Sequence, residues 1–195
     1  MRCFIAIDLP QKIKNVLGAV INASKRHSKS IRWIAPDNIH LTLKFLGEIE
    51  ESLIPVIKER LSASCSPHKT FTINITGAGA FPNFRSPNVL WFGIEDSEEL
   101  KRLYNNIEDA ISLLGFKKEG RKFSPHLTIG RVKDKNGIES ALKEFAAFKD
   151  RRFGSIEISE VVLMQSILKP SGAEYSRLAI FKLSIACSGN GNLML

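Results

Sequence analysis

The chain reads as an α+β protein, bilobal, with two pseudo-symmetric lobes, and three observations say so. Strand-like and helix-like periodicities interleave along its 195 residues. A short run occurs twice, HLTL at residues 40–43 and HLTI at residues 126–129. Each run is preceded by the same succession of strand, helix and proline-led approach. Cys3 and Leu90 lie 87 residues apart, His40 and His126 86 apart, so the succession is an internal repeat. Economical packing of two strand–helix–strand units places their sheets face to face across a central cleft, one run on each side. Residues 1–195 then form a single two-lobed domain with a frayed tail at residues 188–195.

Residues 2–8 (RCFIAID) are short, apolar and β-branched, as a strand requires. Pro10 suits a first helical turn. Ile13, Val16, Leu17, Val20 and Ile21 follow at three- and four-residue spacing, giving an amphipathic helix to about His27. Residues 31–34 are a short strand, Pro36-Asp37-Asn38 a turn, and residues 39–46 the first motif strand, ended by Gly47. A helix over 52–64 aligns Leu53, Val56, Ile57 and Leu61, with Pro55 in its tolerant first turn. Residues 70–76 alternate as a strand, a Gly/Pro loop covers 77–87, and residues 89–94 are a strand. Ser97 is the expected N-cap of a helix using Leu100, Leu103, Tyr104, Ile107, Ile111 and Leu114, closed by Gly115. The second motif strand spans 126–132. A helix over 137–148 buries Ile138, Ala141, Leu142 and Phe145, and strands over 156–168 and 175–186 complete the order. The turn-like tail SGNGNLML is the segment expected to fray.

A 44% hydrophobic chain of this length buries a core without disulfide staples. Its net charge of +8 favours an anionic partner such as nucleic acid, a nucleotide or a membrane surface. Cys3, Cys65 and Cys187 are odd in number and lack C-x-x-C spacing, which disfavours a disulfide framework or a cysteine zinc site and fits a reducing cytoplasm. The N-terminal residues are too short an apolar run for a signal peptide, and no stretch approaches the ~18 residues of a membrane span. No heptad pattern argues against a monomer.

Alternation places His40 and Thr42 on one strand face, and likewise His126 and Thr128, with Leu41, Leu43, Leu127 and Ile129 toward the core. Two imidazoles and two hydroxyls suit acid–base chemistry at a phosphodiester. One base activates the attacking oxygen, an acid protonates the leaving oxygen, and the hydroxyls bond the charged phosphate oxygens. Imidazole titrates near ~6.5, so both protonation states are accessible at neutral pH. Neither metal nor cofactor is needed. Zinc is the rival chemistry, but neither histidine has a ligand-type residue two or four positions on. By strict alternation Arg131 faces away from His126, unless Gly130 breaks the pleat with a bulge. Lys44 falls on the face of His40 and Phe45 on the core side. Arg85 and Lys122 are candidate cleft cations, and Phe84 and Phe123 candidate base-stacking rings. His27 and His68 read as surface residues.

With those residues in view, the chain resembles the two-histidine phosphoesterase superfamily, most of all the bacterial and archaeal RNA 2′,3′-cyclic phosphodiesterases historically called 2′-5′ RNA ligases. The resemblance runs through MRCFIAIDLP, IAPDNIHLTLKFLGEI, GAFPNFRSPNVLWFGI, FSPHLTIGRV and SILKPSGAEYSRL. It implies antiparallel sheets lining the cleft, and hydrolysis of a 2′,3′-cyclic RNA end to a 2′-phosphomonoester, with reversible 2′-5′ ligation of tRNA halves through the same groups. It implies His40 as general acid, His126 as general base, and Thr42, Thr128 and Arg131 as phosphate contacts; the near two-fold relation leaves the two histidine roles open to exchange. For Arg131 it overrides alternation and implies a local irregularity. The alternative is an RNA- or nucleotide-binding module that keeps the cleft and lacks turnover; product formation in a single turnover separates the two.

Overall fold

Apolar alternation, capping residues and a handful of bulges organise the chain around one sheet. In the computed structural model, residues 1–26, 29–170 and 172–185 are described. Among them the order is β1 (Arg2–Asp8), α1 (Gln11–Lys25), β2 (Ile31–Trp33), β3 (His40–Glu48), α2 (Ile54–Cys65), β4 (Phe71–Phe81), β5 (Val89–Ile94), α3 (Glu98–Ser112), β6 (His126–Val132), α4 (Glu139–Ala146), β7 (Arg152–Ile158), β8 (Glu160–Lys169) and β9 (Gly172–Lys182). His27, Cys187 and the tail at 188–195 lie outside the described residues.

The strands join in the order β7-β4-β5-β6-β3-β1-β8-β9, with β2 beside the end of β6. Every pairing between these strands is antiparallel. The expected facing sheets are therefore the two arms of one curled sheet. The arms meet at a single residue pair, Leu41 opposite Leu127. Both leucines are fully buried, so the seam of the two lobes is anchored in the core. β1–β3 and β5–β6 are the repeated pairs, one in each arm.

The two motif strands share an irregularity. Between β1 and β3, Ile5 pairs with Lys44 and Ala6 with Thr42, so Leu43 is the extra residue. Between β5 and β6, Leu90 pairs with Gly130 and Trp91 with Thr128, so Ile129 is the extra residue. Each bulge falls one position after the motif threonine, and such an insertion reverses the facing of whatever follows it.

The helices cover the outer side. Ile13, Leu17, Val20 and Ile21 of α1 are buried, and α1 packs against β7 and α4 in the other arm. α2 and α3 pack together, α2 against β9 and α3 against β3. Ser97 caps α3 as expected, its Oγ accepting the Leu100 N–H at 3.2 Å. Three expected boundaries shift. Gly47, at φ +73°, lies inside β3 and does not end it. Residues 77–81 continue β4, because pairing with β5 resumes at Ala78 after a bulge. The expected strand over 156–168 is two strands broken at Ser159, the first pairing with β4 and the second with β1. Cys3 and Cys65 are buried thiols. Among the described residues, no helix is long and apolar enough to cross a membrane.

Candidate active site

Because Leu41 and Leu127 point into the core opposite each other, their chain neighbours point the other way, onto the concave face. Continuing the antiparallel register by one residue puts His40 opposite Thr128 and Thr42 opposite His126. The two histidines then lie on the same face, on opposite sides of the Leu41–Leu127 pair. Two elements distant in sequence thus bring both H-x-T pairs to one spot, related by a local two-fold.

The rings are oriented by the same device. His40 Nδ1 lies 2.8 Å from the Asn38 carbonyl oxygen, and His126 Nδ1 lies 2.8 Å from the Ser124 carbonyl oxygen. A carbonyl only accepts, so each Nδ1 carries hydrogen and each Nε2 is left for chemistry. Aromatic rings hold each imidazole. Phe4 lies 4.7 Å from His40 and Tyr175 meets it edge-on at 5.2 Å. Phe81 meets His126 edge-on at 4.9 Å and Trp91 lies at 6.3 Å. Phe4 and Trp91 are separated by the repeat spacing, so each arm supplies an aromatic from its equivalent strand. Trp91 fits because Gly79, its partner on β4, has no Cβ; one there would collide with the indole.

Burial lowers the His40 pKa; the Asn38 carbonyl and the Asp8 carboxylate oppose that shift, and Lys14 adds to it. Asp8 is the register partner of His40. Burial works to raise the Asp8 pKa, but hydrogen bonds from Lys14 and Arg177 hold it below the usual carboxylate range. Burial likewise raises the Tyr175 pKa, while the positive charges of Arg131 and Arg2 counteract it.

A cavity of about 1270 Å³ opens before the motifs, its wall including Thr42, Phe45, His126, Thr128 and Arg131. His40 is set back from that wall between Phe4 and Tyr175. Arg131 reaches the cavity because the Ile129 bulge shifts its phase, the irregularity expected near Gly130. The matching bulge at Leu43 overturns two alternation-based expectations. Phe45 is not in the core but 65% exposed on the cavity wall. Lys44 does not share the face of His40: it is buried, and its ammonium bonds both Glu108 carboxylate oxygens at 2.8 and 2.9 Å and the Lys117 carbonyl at 3.0 Å. With all three donors used, Lys44 is structural. Arg85 is exposed on its loop and is not part of the wall, whereas Lys122 is. Phe123 lines the cavity with one face already stacked on Tyr104, centroids 3.8 Å apart. Phe84 packs against the core near Phe145 and is no base platform. His68 makes a hydrogen bond to Asn106, away from the motifs.

Sequence reasoning missed Phe4, Phe81, Trp91 and Tyr175. The repeat spacing linking Phe4 to Trp91 was a usable signal; nothing local marked Tyr175. The cavity wall offers the His126 imidazole, two hydroxyls and a guanidinium, with the oriented His40 imidazole set behind it between Phe4 and Tyr175, a set able to move two protons at an anion that reaches both rings.

Known proteins share this arrangement of the chain. The sequence model of the 2′-5′ RNA ligase superfamily matches residues 13–168. A protein of Archaeoglobus fulgidus named RNA 2′,3′-cyclic phosphodiesterase is 36% identical over 183 residues, spanning 93% of this chain and 100% of the relative. One of the same name from Thermotoga maritima is 34% identical over 196 residues, spanning 100% and 98%. Among solved structures, a Thermus thermophilus protein superposes with a TM-score of 0.78 at 26% identity, covering 94% of this chain and 98% of the other. Escherichia coli LigT in complex with 3′-AMP superposes with a TM-score of 0.74 at 26% identity, covering 93% and 97%.

Proposed function

The chain belongs to the 2′-5′ RNA ligase superfamily, and from that premise we propose that it hydrolyses 2′,3′-cyclic phosphodiester ends of RNA to 2′-phosphomonoesters. The observation that supports this reading is the pairing of Leu41 with Leu127, which favours both H-x-T pairs on one face, each with its Nδ1 on a carbonyl and, among the described residues, its Nε2 without a hydrogen bond.

In the proposed reaction, His126 Nε2 takes a proton from water as the water oxygen bonds to phosphorus. The bond from phosphorus to the ribose 3′ oxygen breaks, and His40 Nε2 gives that oxygen its proton. His126 stands in the open cavity wall, where solvent water arrives; His40 sits deeper beside the Asp8 carboxylate, whose charge favours the protonated ring that the acid role needs and opposes the effect of burial. The Thr42 and Thr128 hydroxyls donate to the non-bridging oxygens, and Arg131 adds a fixed positive charge; preorganised donors of this kind need no reorganisation as the reaction proceeds. Phe45 offers an exposed ring on which the terminal base stacks, and Lys122 a cation at the rim.

Each proton transfer contributes roughly 10²–10⁴-fold, and the two imidazoles supply both without a metal ion. A 5′-hydroxyl in place of water uses the same groups and yields a 2′-5′ linkage, so ligation is the slower companion of hydrolysis in water. The buried thiols fit a cytoplasmic enzyme, and the proposed working unit is a monomer. The test uses a purified 2′,3′-cyclic-ended oligonucleotide with excess EDTA. Retained wild-type turnover, with a loss of at least about 100-fold in His40→Ala and in His126→Ala, is expected. Wild-type activity abolished by EDTA, or both variants fully active, overturns the reading. Binding without product in a single turnover favours the binding module instead.

A further inference from the structure

The cavity of about 1270 Å³ exceeds the roughly 300–1,000 Å³ of ordinary small-ligand pockets, more than one terminal nucleotide calls for. One of its walls is the segment at residues 117–124, KKEGRKFS, which carries four cations and one carboxylate. The segment has no helix or strand, yet it is fastened at three points, two on the main chain and one through a side-chain ring. The buried Lys44 ammonium donates to the Lys117 carbonyl at 3.0 Å. The Glu119 N–H donates to the buried Glu108 carboxylate at 3.0 Å. The Phe123 ring stacks on Tyr104 with an interplanar angle of 10°.

These fastenings use backbone and aromatic groups and leave the long side chains outside. Lys117, Arg121 and Lys122 are exposed. Lys118 is engaged by Asp109, and among the described residues no carboxylate forms an ion pair with the other three. A row of exposed cations on a fastened loop, beside the exposed ring of Phe45, has the composition of a single-strand groove: charges that follow phosphates and a platform for a base. Fixing the segment in advance also removes much of the ordering cost that a mobile basic loop would incur on binding.

We propose that the segment at 117–122 binds the phosphodiester backbone upstream of the cyclic end, so that the preferred substrate is a single-stranded RNA oligonucleotide rather than a cyclic mononucleotide. The inference rests on the cleft being a cyclic phosphodiesterase site. Its test compares kcat/KM for a 2′,3′-cyclic mononucleotide and for a tetranucleotide with the same end, between 50 and 200 mM salt. Three phosphate contacts on a single strand, at a slope of about −0.7 each, predict about a 20-fold fall for the tetranucleotide beyond any fall for the mononucleotide. Lys117→Ala/Arg121→Ala keeps the main-chain fastenings and is expected to reduce that extra dependence to about threefold, with the tetranucleotide-to-mononucleotide ratio falling toward one. Equal salt dependence of the two wild-type substrates, or equal loss on both in the variant, overturns the proposal while leaving mononucleotide hydrolysis in place. Failure of the wild type on both substrates defeats the phosphodiesterase reading itself.

Discussion

Lys44 and Glu108 form the buried ion pair that fastens the cavity wall to β3, their side chains only 5% and 7% exposed and 2.8 Å apart. Removing one partner strands the other's charge in the interior, which costs about 3–5 kcal/mol. Lys44→Met and Glu108→Leu are each expected to destabilise the protein by that amount, a fall of roughly 6–20 °C in Tm for a chain of this size. Replacing both removes the stranded charge, so Lys44→Met/Glu108→Leu should cost no more than either single change, even though the Lys117 carbonyl and Glu119 N–H must then turn to water. The assay is urea unfolding of wild type, both singles and the double, with stabilities taken by linear extrapolation at constant slope. A double mutant whose loss equals the sum of the singles refutes the pairing. Singles within ~1 kcal/mol of wild type would place the pair effectively in solvent, where such bridges count for little.

Gly79→Ala puts a Cβ into the Trp91 indole; an overpacking loss of about 1–3 kcal/mol is expected in urea unfolding, together with slower turnover because Trp91 backs His126. Phe45→Ala should leave stability near wild type, since the ring is 65% exposed, while weakening nucleotide binding by about 1–3 kcal/mol if a base stacks on it; unchanged KM and kcat would remove Phe45 from the site. For His40, burial depresses the folded pKa below the ordinary imidazole value, so the unfolded chain binds the proton more readily. The resulting stability is fully present above pH ~6.5 and is lost as pH falls through the folded pKa. NMR titration of the ring should give a midpoint below ~6.5 that rises in Tyr175→Ala, and a midpoint above ~6.5 in the wild type would contradict the assigned burial.

The motif face was legible because Leu41 and Leu127 obey simple alternation, and the repeat spacing announced that both runs would occupy equivalent places. Alternation failed one residue beyond each threonine. Leu43 and Ile129 are ordinary core residues, so nothing in their type marks a bulge; Gly130 hinted at one in β6, whereas no glycine adjoins Leu43 in β3. Lys44 and Phe45 were consequently exchanged between core and cleft. Tyr175 was invisible for a different reason: β9 places it through pairing with β8, and β8 in turn pairs with β1, a chain of long-range contacts with no local signature. The basic run at 117–122 was visible as charge, but its fastening depends on Lys44 and Glu108, 64 residues apart in sequence.

The most direct measurement is a crystal structure with a 2′-phosphomononucleotide bound in the cavity. The account predicts one phosphate with an oxygen within about 2.6–3.2 Å of Nε2 of His40 and another equally near Nε2 of His126, the threonine hydroxyls on the remaining oxygens. A phosphate held by His126 and Arg131 alone, with His40 still shut between Phe4 and Tyr175, would contradict it.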